Sequence, residues 1–254
     1  MNERRRKEIA SLTHRKYRER LGQVCVEGLR AVASAVVAGA PLMDIVVTPE
    51  ARAQPRVQVL LAQTTAPVTE MKASDLARIS EVQASQGILA VAQAVLVPPE
   101  TLHTLQTLVV LDGVQDPGNV GTVLRTAAWF GAEAVLAGPG TADFFNPKVV
   151  RASMGGLWDV RLAQTPNLPA FLTDLRAAGW ALYGADLEGQ DARTWTPRRP
   201  SALLLGSEAH GLHPEVHALL HARIAVAGTP TRRGAESLNV AVAGGILLYQ
   251  WLGQ

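Results

Sequence analysis

Cysteine is almost missing from this chain, with Cys25 alone among 254 residues. A single thiol closes no internal disulfide and leaves no thiolate cluster for zinc, so a reducing cytoplasm is the expected compartment and no metal is expected. Long apolar runs are missing too. Nothing is long and apolar enough to span a bilayer, and the first twenty residues lack the apolar core of a secretory signal, which leaves a soluble protein as the expectation. An excess of either charge is lacking as well, since 24 Lys and Arg face 22 Asp and Glu for a net +2. Attraction to a polyanion must therefore be local.

The local excess is at the start. Arg4, Arg5, Arg6, Lys7, Arg15, Lys16, Arg18 and Arg20 stand against Glu3, Glu8 and Glu19, a net +5. This stretch reads as a polar helix able to lie along a phosphate backbone by counterion release, or as a solvated helix or frayed terminus. With 48% hydrophobic residues the chain can bury a sizeable core, and two domains are expected. Residues 23–91 alternate β-like runs (24–26, 45–47, 88–91) with helical ones (29–38, 74–79), which predicts a small α/β unit. Residues 93–106 contain Pro98-Pro99 and little periodicity. The expected layout is therefore a domain over 1–95, a linker over 96–106 and a second domain over 107–254. In that second domain strands (108–111, 134–137, 180–183, 202–205, 223–226) interleave with helices (120–130, 148–154, 169–178, 214–220, 237–251). Such an order predicts a parallel sheet with helices on both faces.

Ligands of open parallel sheets sit beyond the carboxyl ends of the strands, so the residues after each apolar run are the informative ones. Asp112-Gly113-Val114-Gln115-Asp116-Pro117-Gly118-Asn119 leads into a helix with a buried stripe of Val120, Val123, Leu124, Ala127 and Ala128. Thr122, Arg125 and Trp129 fall on another face of that helix. Gly206-Ser207-Glu208-Ala209-His210-Gly211-Leu212 is a glycine-bearing loop with one carboxylate, where backbone can approach a ligand closely. Thr229-Pro230-Thr231-Arg232-Arg233-Gly234-Ala235-Glu236-Ser237-Leu238-Asn239 is a polar loop before an apolar helix, and Ser237 is placed to cap that helix.

Asn119, Gly121 and Arg125, then Gly206, Glu208, Gly211 and Leu212, then Ser237-Leu238-Asn239 resemble the three ordered motifs of the SpoU (TrmH) family of RNA ribose 2′-O-methyltransferases, within the SPOUT superfamily. The likeness extends to Asn146-Pro147-Lys148 and Arg151-Ala152-Ser153, and to Glu27-Gly28 and Gln86-Gly87-Ile88 of the family's substrate-binding domain. It thus covers nearly the whole chain. The resemblance implies an α/β fold: a SPOUT-type parallel sheet with a deep C-terminal trefoil knot, plus a small N-terminal α/β domain of the ribosomal L30e-like kind. Pattern alone would predict an ordinary unknotted sheet. It also implies S-adenosylmethionine as cofactor and a homodimer with the active site near the subunit interface. Carried over by position, Arg125, Asn119, Glu208, Ser237 and Asn239 form the catalytic set, and Gly206, Gly211, Leu212, Thr229 and Leu238 hold the cofactor. On the RNA side Arg15, Lys16, Arg18, Lys148 and Arg151 are the expected contacts. The chain departs from the family at Thr229-Pro230-Thr231, where Ile-Pro-Met is usual, and at Arg233, where glycine is common. The departures predict a differently shaped cofactor loop, and Arg232-Arg233 would add phosphate contacts.

Methyl transfer from a sulfonium needs an in-line oxygen nucleophile and removal of a hydroxyl proton. Arginine ordinarily stays protonated, so two readings stand: a phosphate helps Arg125 lose a proton, or Arg125 stabilises the alkoxide while another group takes the proton. Asn119 and Asn239 can orient a 2′-hydroxyl, the group that separates RNA from DNA. Ribosomal RNA is the expected substrate by analogy. The alternatives are a transfer RNA 2′-O-methyltransferase, a base or small-molecule methyltransferase, and a catalytically inactive RNA-binding protein of the same fold. Gly138-Pro139-Gly140 lacks the third glycine of a dinucleotide loop. His213, His217 and His221 recur every fourth residue without acidic or cysteine partners in the right pattern, and are expected on the surface. The scattered tryptophans are expected in packing, Trp129 excepted, and the final helix suits either a subunit interface or the interior.

Overall fold

Thr107 to Asp112 reads Thr-Leu-Val-Val-Leu-Asp, and all six residues are buried. A strand apolar on both faces has to lie inside a sheet covered on both sides. In the computed structural model, which describes residues 1–80, 85–229, 231, 234 and 236–253, this strand is β5 (Thr107–Asp112). It lies inside a parallel sheet with β6 (Ala134–Ala137), β7 (Arg161–Gln164), β8 (Ala181–Asp191), β9 (Ser201–Gly206) and β10 (Ala222–Ala225), in the order β10-β8-β9-β5-β6-β7. Leu111 pairs with Leu205 and Asp112 with Gly206, so β5 and β9 end level with each other.

Side chains alternate across a strand, and the helices divide accordingly. Leu108, Val110, Ala202 and Leu204 share one core with Leu168, Phe171, Leu172 and Leu175 of α9 (Leu168–Ala177) and Val216 of α10 (Pro214–His217). On the other face α11 (Val240–Leu252) approaches β9 so closely that a Cβ on Gly244 would sit 2.8 Å from Leu205 Cδ1. Its neighbour Gly245 faces Thr126 of α7 (Pro117–Trp129). Interior helical glycines cost about 1 kcal/mol each relative to alanine, and here they admit close packing of helix on sheet and helix on helix. Trp251 Nε1 donates to Ser201 Oγ at 3.2 Å and pins the far end of α11 to β9. Among the described residues no helix is long and apolar enough to cross a membrane.

The second unit comprises residues 1–95 with 145–159, and the sheet unit comprises 96–144 with 160–254. The chain thus passes between units at 95/96, 144/145 and 159/160, where the sequence suggested one linker. The expected linker is structured: Pro99–Thr104 forms a 3-10 helix, and Leu102 and Leu105 are buried in the core of the sheet unit. In the N-terminal unit β1 (Gln23–Glu27), β2 (Leu42–Val47), β3 (Val68–Glu70) and β4 (Ile88–Gln93) form a sheet in the order β1-β4-β2-β3, antiparallel except for β2 with β3. Helices α3 (Leu29–Val37), α4 (Pro49–Arg52), α5 (Pro55–Ala62), α6 (Ala73–Leu76) and α8 (Pro147–Ser153) complete it.

The basic stretch is neither one polar arm nor a frayed end. It forms α1 (Glu3–Ser11) and α2 (Arg15–Leu21), and Ile9 and Leu12 are fully buried against Cys25, Val46, Leu89 and Val91. Helices α4 and α5, of four and eight residues, were not expected from the sequence; each begins on a proline, which suits the first turn of a helix. Strands β3 and β7, of three and four residues, were likewise not expected from the sequence.

Candidate active site

Because β5 and β9 end level, the loops that follow them lie side by side at the carboxyl edge of the sheet. The first loop enters α7 through Asp116, whose Oδ1 accepts from the Asn119 amide at 2.8 Å, with Pro117 in the first turn. That turn fixes Asn119. Its Nδ2 donates to Glu208 Oε1 at 2.7 Å, and its Oδ1 accepts from Asn239 Nδ2 at 2.9 Å. Asn239 Oδ1 in turn accepts from the amides of Ala241 (2.9 Å) and Val242 (3.3 Å). Asn239, not Ser237, therefore caps α11: it stands immediately before the first helical residue and reaches two open amides. The three motif stretches thus meet in one hydrogen-bonded chain, Glu208–Asn119–Asn239.

Glu208 also accepts from the Gln115 amide at 3.4 Å. Partial burial pushes its pKa up, but the hydrogen bonds from Asn119 and from the backbone amides of Glu208, Gln115 and Asp116 outweigh this and hold the carboxyl below its ordinary range. The site thus keeps a fixed negative charge at neutral pH.

Gly206, Gly211 and Leu212 belong to one tight turn. A Cβ on Gly206 would lie 2.1 Å from the Gly211 carbonyl carbon, so no other residue fits that backbone path. Ser207 and Gly211 exchange two backbone hydrogen bonds of 2.9 Å. Leu212 is half-buried, and its Cδ1 would stand 2.7 Å from a Cβ on Gly184 of β8. Arg125 is exposed on α7 and makes no hydrogen bond or ion pair with the described residues; Thr122 and Trp129 are exposed beside it, the latter at 83%. Val120, Val123, Leu124 and Ala127 form the buried stripe, with Ala128 at its half-buried edge. Ser237 and Leu238 are exposed next to the Asn239 cap. Thr229 is exposed after β10, its Oγ1 2.9 Å from Thr231 Oγ1. Pro230, Arg232 and Arg233 lie outside the described residues.

The expected RNA contacts divide. Lys16 and Lys148 are exposed, and Arg15 is exposed with Nε 2.7 Å from Glu19. Arg151 is half-buried and lines a small cavity with Thr13, Cys25, Glu27 and Pro147. Arg18 is a correction: it is buried, and its Nη1 donates to the carbonyls of Leu12 (2.9 Å) and Thr13 (2.8 Å), closing the turn between α1 and α2. It cannot face a phosphate.

The three histidines lie at the surface as expected, His213 and His221 exposed and His217 partly so, and each imidazole has its own partner. His213 Nδ1 is 2.8 Å from Asp112 Oδ1, His217 Nε2 is 2.9 Å from Asp186 Oδ2, and His221 Nδ1 accepts from the Leu182 amide at 3.1 Å. No group of three potential metal ligands occurs among the described residues. Sequence reasoning missed Asp112, His213 and the segment 185–189 that follows Gly184. A carboxylate ending an all-apolar strand was the available signal for Asp112.

A model of the SpoU rRNA Methylase family matches residues 106–249, and one of the MRM3-like substrate binding domain matches residues 4–90. The chain is 38% identical over 176 residues to the 23S rRNA (guanosine(2553)-2′-O)-methyltransferase RlmP of Bacillus subtilis, covering 69% of this chain and 68% of that one. Among solved structures it resembles a TrmH-family protein of Porphyromonas gingivalis (TM-score 0.86, 36% identity, 99% and 98% of the two chains). It also resembles an AdoMet-bound rRNA methyltransferase of Sinorhizobium meliloti (TM-score 0.83, 30% identity, 98% and 94%).

Proposed function

Because the chain belongs to the SpoU rRNA methylase family, we propose that it transfers a methyl group from S-adenosylmethionine to a ribose 2′-hydroxyl of ribosomal RNA. One observation carries this reading: the hydrogen-bonded chain Glu208–Asn119–Asn239 at the carboxyl edge of the sheet, with the Arg125 guanidinium left open beside it on α7. The residues present suit the cofactor. The turn at Gly206, which admits no Cβ, brings bare backbone to the ligand edge, and Leu212 and the exposed Leu238 offer apolar surface to a flat heterocycle.

When bound, the cofactor supplies a methyl on a positively charged sulfur; the carbon–sulfur bond breaks as the carbon–oxygen bond forms, and the electron pair stays on sulfur. The protein's own share is positioning and charge. Asn119 spends its amide on Glu208 and Asn239, so it is held in one rotamer and braces the two loops. Arg125 spends none of its donors on the described residues, so all five N–H groups are available to the substrate phosphate and to the oxygen that loses its proton. We assign Arg125 to stabilising that oxygen, the hydroxyl proton passing to solvent water, with Ser237 as a further substrate contact and Gly206, Gly211, Leu212, Thr229 and Leu238 toward the cofactor. Arg15, Lys16, Lys148 and Arg151 are assigned to RNA.

The same reading includes a homodimer in the cytoplasm and the deep trefoil knot. Val242, Ile246 and Tyr249, at helical spacing on α11, are 41–58% exposed and offer an apolar stripe suited to a second copy. Leu247, Leu248 and Trp251 are interior. The knot is supported by a strand order that inserts β9 between β8 and β5 and by the turn packed onto Gly206.

The test is transfer of labelled methyl from S-adenosylmethionine to fractionated RNA, followed by alkaline hydrolysis, for the native chain and Arg125→Ala. Label is expected in alkali-resistant dinucleotides of ribosomal RNA, falling by about 100-fold or more in the variant. Label in alkali-sensitive mononucleotides would mean base methylation, and none in any fraction would leave an RNA-binding protein.

A further inference from the structure

Asp112 ends a strand buried along its whole length, and its side chain is buried with it. A carboxylate withdrawn from water is strongly destabilising unless hydrogen bonds compensate. Both of its oxygens are engaged by one residue. Oδ2 accepts from the His213 backbone amide at 2.8 Å, and Oδ1 lies 2.8 Å from His213 Nδ1. A carboxylate only accepts, so Nδ1 carries the ring proton and Nε2 turns outward. Holding backbone and ring together fixes both the main-chain path and the rotamer of His213.

The two residues sit where that matters. His213 directly follows the turn Gly206–Leu212 and occupies the cap position of α10. Asp112 pairs with Gly206 across the sheet and directly precedes Gly113, whose φ of 74° starts the loop that carries Gln115 and Asn119. The imidazole Cε1 would be 3.4 Å from a Cβ on Gly113, so the ring lies over the start of that loop. Glu208 already ties the same two loops together farther out, through Asn119 and the Gln115 amide. The turn is thus held at its middle by one carboxylate and at its exit by another.

We propose that Asp112 and His213 form a latch that positions the Gly206–Leu212 turn for the cofactor. Neither touches the reacting atoms. They act through the backbone of Gly211 and Leu212, so the latch rests on the methyl-transfer reading. Loss of the latch lets the exit of the turn, Gly211 and Leu212, drift while its middle stays held through Glu208, Asn119 and Asn239 and Arg125 stays in place. Cofactor affinity is then the quantity that moves.

The test compares His213→Ala, His213→Asn and Asp112→Asn with the native chain by calorimetric titration with S-adenosylmethionine, steady-state methyl transfer and thermal melting. Asparagine carries an amide nitrogen near the position of Nδ1 and is the conservative replacement. His213→Ala is expected to raise Kd and KM for S-adenosylmethionine about tenfold with kcat within about twofold, because ångström-scale misplacement of a binding element has effects of that order or larger. His213→Asn should recover most of the loss, and Asp112→Asn should match or exceed it. The latch is overturned by native cofactor affinity in His213→Ala and Asp112→Asn, by a fall in kcat at constant KM, or by a lowered Tm alone. A His213→Asn variant no better than His213→Ala also counts against it. A native chain that shows no binding heat would sink the methyl-transfer reading and the latch together, whereas normal native binding with unaffected variants would sink the latch only.

Discussion

Charged and polar side chains are used in opposite ways in the N-terminal helices and at the carboxyl edge of the sheet. In α1 and α2 the cations are drawn into structure: Arg18 closes a turn from the inside, and Arg5 Nε is 3.0 Å from Asp44 and its Nη1 2.8 Å from Gln23. At the sheet edge the polar groups bind one another, Glu208 to Asn119 to Asn239, and Arg125 is left to solvent. A count of charges does not separate these uses. The first region contributes its net +5 to attraction only through those cations that remain outside, Lys16 among them; the second holds Arg125, whose donors are unspent on the described residues.

The comparison breaks most visibly at Arg18. Its guanidinium is buried and serves two carbonyls, so Arg18→Ala is expected to destabilise the N-terminal unit by about 2–4 kcal/mol, the loss of charge-assisted bonds plus two stranded acceptors. Urea denaturation followed by far-ultraviolet circular dichroism would measure it. Below the transition, methyl transfer and the salt dependence of RNA binding should stay near native. A variant of native stability with weakened RNA binding would place Arg18 on the surface and erase the contrast.

How much of this was legible in advance depends on whether neighbours in sequence or neighbours in space supply the partner. Leu108 to Leu111 and Ala202 to Leu205 announce buried parallel strands by composition, and the loops that follow them carry the candidate site. The exposed face of α7 followed from helical spacing: Val120, Val123, Leu124 and Ala127 go in and Arg125 and Trp129 go out. Burial of Arg18 was hidden because its acceptors are backbone carbonyls, which no side-chain pattern reveals. The only hint was Ile9 and Leu12, three residues apart within a run of charges. Partners as far apart as Asp112 and His213, or Asn119 and Asn239, are brought together by strand order alone.

Glu208 is tied into the sheet edge yet ionised. Its folded pKa lies below the ordinary 4.5, so its hydrogen bonds to Asn119 and the loop amides stabilise the fold fully above that value. The contribution is lost as pH falls from about 4.5 through the lower folded value, where both states bind the proton. Glu208→Gln should therefore melt below the native chain at neutral pH, and the gap in Tm should close on acidification through that window. A gap that widens toward acid would mean that burial, not hydrogen bonding, governs this carboxyl.

The smallest expected effect lies at Lys16, the exposed counterpart of Arg18 two residues along the same helix. A lysine at the surface of α2, with no ion pair among the described residues, acts on a phosphate by counterion release, which is additive and independent of sequence. Lys16→Ala should leave the denaturation midpoint within error and lower the slope of log affinity for ribosomal RNA against log salt by about 1. Arg18→Ala should leave that slope alone while shifting the midpoint. The two substitutions remove the same charge from the same seven-residue helix. If both changed the slope equally, net charge would be the determinant of RNA attraction. If only Lys16→Ala does, position relative to the core decides it, and the basic stretch works as a folded surface.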